Sequence, residues 1–205
     1  MNLAANNNQF MGSLRGADLV FCDGYGVATA ARLMNVALLE RLTPMDWMED
    51  LLATSNSIGL SVFLLGDETQ VVEACKQSMV TSHHRLNIVG THHGFFRDAD
   101  EGSQVIALVN EARPDLLLVG MGMPAQEFWI DENIAGLDIG VALPVGALFR
   151  WYSGAEKRAP RILSDHGLEW LWRLAHHPVR LFRRYVVGNI GFIARVTRAR
   201  LTGGA

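Results

Sequence analysis

Residues 114–127 read PDLLLVGMGMPAQE, an apolar run that leads through a glycine loop into a polar, helix-forming stretch. Residues 116–119 carry no polar side chain on either face, which is typical of a strand covered by helices on both sides. The glycines that follow place a tight turn at the carboxyl end of this strand. A strand, a glycine turn and a helix in this order predict one unit of a parallel α/β sheet.

The same alternation extends along the chain to about residue 146. Strands are predicted at 17–21, 60–66, 86–90, 115–122 and 139–146, and helices at 27–39, 45–55, 69–80, 102–112 and 124–135. Each predicted strand is a near-continuous Val/Leu/Ile run rather than an alternating one. The sequence therefore predicts an α/β fold, with a Rossmann-like parallel sheet flanked by helices.

The C-terminal quarter of the chain differs from the rest in net charge and in the pattern of its apolar residues. Residues 1–155 carry 8 Lys and Arg against 18 Asp and Glu, a net of −10, whereas residues 156–205 carry 10 against 3, a net of +7. A short apolar helix is predicted at 167–175, and Pro178 is expected to start another. We therefore predict two domains, the Rossmann-like domain at 1–154 and a basic, amphipathic helical appendage at 155–205.

The basic appendage has three interpretations: it binds nucleic acid, lies on an anionic membrane, or forms a solvated helix. Apolar residues recur at helical spacing between its arginines, which favours a helix at a membrane interface. A nucleic-acid-binding protein is expected to share positive charge with its main domain, and here that domain is acidic. The appendage therefore predicts contact with an anionic membrane surface and no nucleic-acid partner.

The cellular compartment is indicated by cysteine usage and by the N-terminal residues. The two cysteines, Cys22 and Cys75, form no CxxC motif, which favours a reducing compartment without disulfides. The start MNLAANNNQF has no basic region followed by an apolar core, so no signal peptide is expected. No run of 18 apolar residues predicts a membrane-spanning helix. These features predict a cytoplasmic protein.

A carboxylate, Asp23, follows the predicted strand 17–21 and precedes an alanine-rich helical stretch. One interpretation is an aspartate that caps the helix in a tight turn. The other is a catalytic base, because ligands of open α/β sheets bind at the carboxyl ends of the strands. The residues alone leave both interpretations open.

Glycine and histidine turns at the predicted carboxyl edge are candidates for ligand contact. The expected substrate-binding residues there are Gly24, Gly66, His93, Gly94, Gly120 and Gly122. Residues 120–125 formally fit the dinucleotide fingerprint, but the acidic residue expected about twenty positions later is missing. The loop therefore holds a phosphate or simply needs small residues. Gln126 and Glu127 would lie in the first helical turn and either contact a ligand or cap the helix.

Metal-binding patterns are weak in this sequence. Asp98 and Asp100 have the DxD spacing of metal-dependent sugar transferases, but a helix start favoured by the helix dipole is the preferred interpretation. Adjacent histidines occur at 83–84, 92–93 and 176–177. Such pairs rarely share a metal without further ligands at suitable spacing, and the sequence shows none. His92 and His93 remain ligand candidates because they lie in a predicted carboxyl-end loop.

Taken together, a series of segments resembles the WecG/TagA/CpsF family of bacterial glycosyltransferases. These segments run in order through residues 9–190: ADLVFCDGYGV, ERLTPMDW, VFLLGD, IVGTHHGFF, PDLLLVGMGMPAQEFWI, VGALFRWYSG, KRAPR, GLEWLWRL and RYVVGN. The resemblance implies an inverting, metal-independent enzyme that needs no cofactor. Its donor would be a UDP-sugar carrying N-acetylmannosamine, its uronic acid or glucose. Its acceptor would be an undecaprenyl-diphosphate-linked saccharide used for cell-surface polysaccharides.

The resemblance also implies roles for individual residues. Asp23 matches the proposed catalytic base, Arg41 an arginine at the donor diphosphate or the acceptor, and Gln126 a glutamine of the active-site pocket. It further lowers the expectation of a metal at Asp98 and Asp100. Arginines of the appendage would contact the acceptor diphosphate or the membrane at the cytoplasmic face; these are Arg158, Arg161, Arg180, Arg183 and Arg184.

Two departures from the family pattern bear on activity. Relatives begin with another strand that carries a Thr-x-Asn element, whereas NNNQFMGSL aligns with the helix after that strand. The chain is thus expected to start upstream or to be truncated. Arg150 stands where many relatives carry an acidic residue, which is expected to alter donor or acceptor choice.

Two alternative functions stay open beside the transferase. One is a catalytically impaired UDP-sugar-binding protein, a consequence of the missing N-terminal element. The other is an NAD(P)-dependent oxidoreductase built on residues 120–125, against which the missing acidic partner counts. The sequence leaves the oligomeric state open, including a homo-oligomer.

Overall fold

The computed structural model describes residues 2–37, 41–96, 98–157, 159–160, 163, 168–176, 178–182, 186 and 188–202. The chain divides into two compact units. The first contains residues 1–12, 17–43 and 158–205, and the second contains residues 13–16 and 44–157. The first unit is thus assembled from segments near both ends of the sequence.

The described residues form four strands and eleven α-helices. The strands are β1 (Ser61–Gly66), β2 (Asn87–His92), β3 (Leu116–Gly120) and β4 (Val141–Pro144). The helices are α1 (Asn2–Asn6), α2 (Asn8–Gly16), α3 (Tyr25–Leu33), α4 (Pro44–Ile58), α5 (Thr69–Ser82), α6 (Ala99–Ala112), α7 (Ala125–Asn133), α8 (Leu148–Tyr152), α9 (Glu169–His176), α10 (Pro178–Phe182) and α11 (Gly188–Leu201).

The second unit contains a four-stranded, all-parallel sheet in the order β2-β1-β3-β4. Side chains of β1 alternate between two cores. Leu64 packs in one core with residues of α4, α5 and α8, while Leu65 packs in the other with residues of α6 and α7. Because both faces of the central strands are covered, their buried positions 62–65 and 116–119 are all apolar. The predicted α/β fold with a parallel sheet and flanking helices is confirmed.

The prediction of a strand at residues 17–21 is wrong. The backbone there joins no ladder among the described residues, apart from an isolated parallel bridge between Cys22 and Arg41 just after it. Leu19 and Val20 are 80% and 57% exposed, so the apolar run is not buried between two helical layers. Without a neighbouring strand, the backbone groups of this segment have no ladder to join.

Helices of the first unit gather around α11. Helix α1 packs against α11, and a Cβ added at Gly26 of α3 would lie 3.8 Å from the ring of Phe192 in α11. The predicted appendage helices are present, and Pro178 begins α10 as expected. Among the described residues, none of the helices is long and apolar enough to cross a bilayer.

Candidate active site

The carboxyl edge of the sheet in the second unit is built by close backbone contacts between glycines. Gly66 and Gly120 end neighbouring strands and are paired in register. A Cβ added at Gly66 would lie 2.5 Å from the carbonyl carbon and oxygen of Gly120, and Gly66 has φ +144°. Gly94 lies against the same corner, because its N–H donates to the carbonyl of Asp67 at 3.1 Å. Packing alone therefore demands glycine at position 66, and ligand contact by these residues stays a prediction.

Gln126 connects two loops at this edge. Its side chain is buried, and its Oε1 accepts hydrogen bonds from the backbone N–H groups of Gly122 at 3.1 Å and Gly146 at 3.0 Å. These amides belong to the loops that follow β3 and β4. The N–H of Gly122, which a phosphate-binding loop would offer to its ligand, is thus occupied by a side chain. The sequence predicts a ligand contact or a cap at Gln126, whereas in the structure its side chain links two loops.

Truncation of Gln126 is expected to loosen both loops. In Gln126→Ala the N–H groups of Gly122 and Gly146 lose their acceptor, which is expected to cost about 2–3 kcal/mol of unfolding free energy. Urea unfolding measures this cost. The matched control is Gln70→Ala, since Gln70 is exposed and donates to the side chain of Glu68 at 2.6 Å. Equal losses in the two variants would contradict the linking role of Gln126.

Glu127 is a carboxyl group held in a poorly solvated position beside Gln126. Its Oε1 accepts from Gln126 Nε2 at 2.9 Å, while its Oε2 is buried and has no hydrogen-bond partner within the described part of the chain. Burial raises the pKa of Glu127, and the hydrogen bond from Gln126 opposes this rise only in part. A carboxyl group in this setting is suited to keeping or exchanging a proton.

The raised pKa of Glu127 makes the stability of the fold depend on pH. Because the folded state binds the proton more tightly than the unfolded chain, this contribution is complete below the unfolded pKa of about 4.5. It is lost as pH rises through the folded pKa. We therefore expect Glu127→Gln to have a higher melting temperature than wild type at pH 7, with the difference vanishing near pH 4.

The control for this prediction is Glu132→Gln, because Glu132 is exposed on the same helix, α7. Melting temperatures of the three proteins are compared across the pH range by calorimetry. An advantage of Glu127→Gln that persists unchanged at pH 4, or that Glu132→Gln shares, would contradict burial of the charge as its cause.

An ion pair between Asp67 and Arg150 lies beside the end of β1, and sequence analysis did not anticipate it. Arg150 donates from Nε to Asp67 Oδ2 at 2.8 Å and from Nη2 to Asp67 Oδ1 at 2.7 Å. Asp67 is 7% exposed, so its charge needs this bidentate partner. Arg150 therefore balances a buried carboxylate 83 positions away in the sequence. The only signal in the sequence was Asp67 itself, directly after a predicted strand.

The histidine turn after β2 meets the start of α6. His93 Nε2 lies 3.4 Å from Glu101 Oε1, and His92 Nδ1 lies 2.7 Å from the carbonyl oxygen of His93. Asp98 is the N-cap of α6, because its side chain accepts from the N–H of Glu101 at 2.9 Å. The interpretation of residues 98–100 as a helix start is thus confirmed, while the contact between Glu101 and His93 was not predicted from the sequence.

Asp23 and Arg41 are brought together in the first unit. Arg41 Nη1 donates to the backbone carbonyl of Asp23 at 3.4 Å, and the N–H of Leu42 donates to the carbonyl of Cys22 at 3.0 Å. Gly24, rather than Asp23, occupies the N-cap position of α3. Asp23 is exposed. Asp23 thus lies one residue before the N-cap of α3, and the Arg41 guanidinium contacts its backbone carbonyl.

The predicted arginines of the appendage lie mostly outside the described residues. This applies to Arg158, Arg161, Arg183 and Arg184. Arg180 lies in α10. The described C-terminal helix α11 carries exposed arginines, which are Arg195, Arg198 and Arg200.

Comparison with known proteins gives consistent matches. The model of a family described as "Glycosyl transferase WecG/TagA/CpsF family" matches residues 1–205. Proteins of Staphylococcus aureus strains NCTC 8325 / PS 47 and COL are 30% identical over 173 residues, which cover 84% of this chain and 67% of each relative. The protein of strain MRSA252 is 29% identical over the same length. All three are named N-acetylglucosaminyldiphosphoundecaprenol N-acetyl-beta-D-mannosaminyltransferase.

Proposed function

Since the chain belongs to the WecG/TagA/CpsF family of glycosyltransferases, we propose that it transfers N-acetylmannosamine from a UDP-linked donor to N-acetylglucosamine carried on undecaprenyl diphosphate. The observation that carries this proposal is the 30% identity, over 84% of the chain, to a relative whose name states the sugar and the acceptor. The UDP-linked donor follows from the family resemblance of the motifs.

In this reaction an acceptor hydroxyl attacks the anomeric carbon of the donor sugar. The new carbon–oxygen bond forms as the bond to the diphosphate breaks, so that UDP leaves with the electron pair. We propose that the carboxylate of Asp23 takes the proton of the attacking hydroxyl. Arg41, which hydrogen-bonds the backbone of Asp23, is proposed to neutralise charge on a diphosphate.

We propose that the donor is held at the carboxyl edge of the sheet in the second unit. Support comes from the glycine loops at Gly66, Gly94 and Gly120 and from the general location of ligands in open α/β sheets. Gln126 would keep the loops after β3 and β4 in place for this contact. Glu127 would supply a polar contact to the sugar or the phosphates.

We further propose that the protein acts as a peripheral protein at the cytoplasmic face of the membrane. Its described C-terminal helices expose large apolar side chains beside arginines, which suits an interfacial position. Val179 is 94% exposed, and Ile190 and Ile193 of α11 are 66% and 62% exposed. An interfacial position would bring the enzyme to an acceptor that is anchored in the membrane by its lipid.

Removing the three arginines of α11 is expected to weaken membrane binding. Each arginine near an anionic surface contributes about 1 kcal/mol, so the triple variant Arg195→Gln/Arg198→Gln/Arg200→Gln should bind anionic vesicles about two orders of magnitude more weakly. Vesicle sedimentation measures this change. The matched control neutralises two exposed arginines of the second unit, Arg15→Gln/Arg85→Gln. Unchanged sedimentation of the triple variant would contradict the proposed docking surface.

The proposed reaction is tested by measuring UDP release. The chain is incubated with UDP-N-acetylmannosamine, its uronic acid analogue or UDP-glucose, and with a short-chain polyprenyl diphosphate that carries N-acetylglucosamine. We expect release with UDP-N-acetylmannosamine that depends on the acceptor, and none with the same lipid lacking the sugar. Binding of UDP without acceptor-dependent turnover would replace the proposal with a nucleotide-sugar-binding protein.

A further inference from the structure

Three metal-ligating groups meet where β2 ends and α6 begins. His92 is the last residue of β2, His93 follows it, and Glu101 lies in the first turn of α6. One ligand atom from each residue lies within 4.8 Å of the other two, and all three side chains are half-buried. Two imidazoles and one carboxylate are the donor set of many three-residue zinc sites.

The separation of the ligand atoms fits a small coordination sphere. With metal–ligand distances of about 2.0–2.1 Å, two ligands of a tetrahedral zinc ion are about 3.4 Å apart. His93 Nε2 and Glu101 Oε1 are 3.4 Å apart. The other separations are at most 4.8 Å, and metal binding would require these half-buried side chains to rotate until the ligand atoms are about 3.4 Å apart.

The hydrogen bonds around the histidines favour ligation by His92. Its Nδ1 lies 2.7 Å from the carbonyl oxygen of His93, so Nδ1 carries the proton and the lone pair of Nε2 is left for a metal. The hydrogen bonds of His93 are less favourable for metal ligation through Nε2, because its Nδ1 accepts from the N–H of Phe95 at 3.3 Å and the ring proton is therefore on Nε2. If Nε2 of His93 binds the metal, the ring proton moves to Nδ1. Nδ1 can then no longer accept from the N–H of Phe95, so this hydrogen bond is lost.

We propose that His92, His93 and Glu101 bind a divalent transition-metal ion of the zinc class. The three protein ligands leave a fourth position for water, as in zinc sites that are not purely structural. The ion would join the end of β2 to the start of α6 and so stabilise the intervening loop. This binding site is additional to the proposed sugar transfer, and no step of that transfer is assigned to the ion.

The test is a titration of the full chain, without a histidine tag and after treatment with EDTA. Zn²⁺ is added in competition with a chromophoric chelator, and Co²⁺ is added separately to record its visible absorption. We expect one ion per chain and a Co²⁺ spectrum of low coordination number. His92→Ala and Glu101→Gln are each expected to weaken Zn²⁺ binding at least about tenfold.

The matched control is His83→Ala. His83 Nε2 lies 3.2 Å from Glu49 Oε2 and is also followed by a histidine, but among the described residues these side chains do not form a three-residue cluster. This variant is expected to bind Zn²⁺ as wild type does. Melting temperatures in EDTA establish that each variant is folded, and Glu101→Gln preserves the shape of the side chain. Zn²⁺ affinity unchanged in both site variants, or no saturable binding by wild type, would overturn the proposal.

Discussion

Replacing Asp23 with asparagine is expected to lower the rate of sugar transfer about 10²–10⁴-fold, the contribution that a positioned general base typically makes. Asparagine keeps the size of the side chain and removes its ability to take a proton. Because Asp23 is exposed and does not occupy the N-cap of α3, the substitution should leave the fold intact. The rate is measured as acceptor-dependent UDP release at saturating donor.

The matched control is Asp18→Asn, an exposed carboxylate in the same segment of the first unit. Its transfer rate is expected to equal that of wild type. The affinity for UDP, measured by calorimetric titration, should be the same in all three proteins. A transfer rate of Asp23→Asn within about threefold of wild type would remove this residue as the base and direct the search to other carboxylates.

Adding one methyl group at Gly66 is expected to destabilise the second unit severely. In Gly66→Ala the new Cβ would lie 2.5 Å from backbone atoms of Gly120, which are the end of a paired strand and cannot move aside alone. The backbone conformation, with φ +144°, is also one that side chains rarely adopt. We expect a loss of about 3–5 kcal/mol of unfolding free energy, together with loss of activity.

Gly59→Ala separates the two causes of this loss. Gly59 also has a positive φ, of +78°, but a Cβ there meets no atom within 4 Å. Its cost is expected to be about 1 kcal/mol, from backbone conformation alone. Urea unfolding of both variants measures the difference. If the two losses were equal, the close approach between β1 and β3 would not be the reason for glycine at position 66.

The sheet could be predicted because its strands are buried on both faces. Leu64 and Leu65 face opposite cores, so the buried positions 62–65 of β1 are all apolar, and this leaves a clear pattern in the sequence. Residues 17–21 have the same apolar texture but a different environment, with Leu19 80% exposed. A short apolar run shows that burial of a segment would be favourable. It does not show whether a neighbouring strand is present to pair with that segment.

For the candidate site, the sequence predicted which residues belong to it but not how they contact one another. The glycine loops and Gln126 were identifiable because they follow apolar strands. The hydrogen-bond and ion-pair partners of these residues could not be predicted from the sequence, because the partners lie far away along the chain. Gln126 binds the amide of Gly146, 20 positions later, and Arg150 pairs with Asp67, 83 positions earlier. Such pairs depend on the order of strands in the sheet, which local patterns do not encode.

The composition of the first unit has a consequence for the order in which the protein forms during synthesis. Helices α1 and α3 pack against α11, yet α11 ends at residue 201. A ribosome completes residues 44–157, with the whole parallel sheet, before it begins residues 158–205. At about 5–20 residues per second, those last 48 residues take about 2–10 s. During this interval α1 and α3 of the nascent chain lack the helix against which they pack, so a chaperone is expected to bind at these helices.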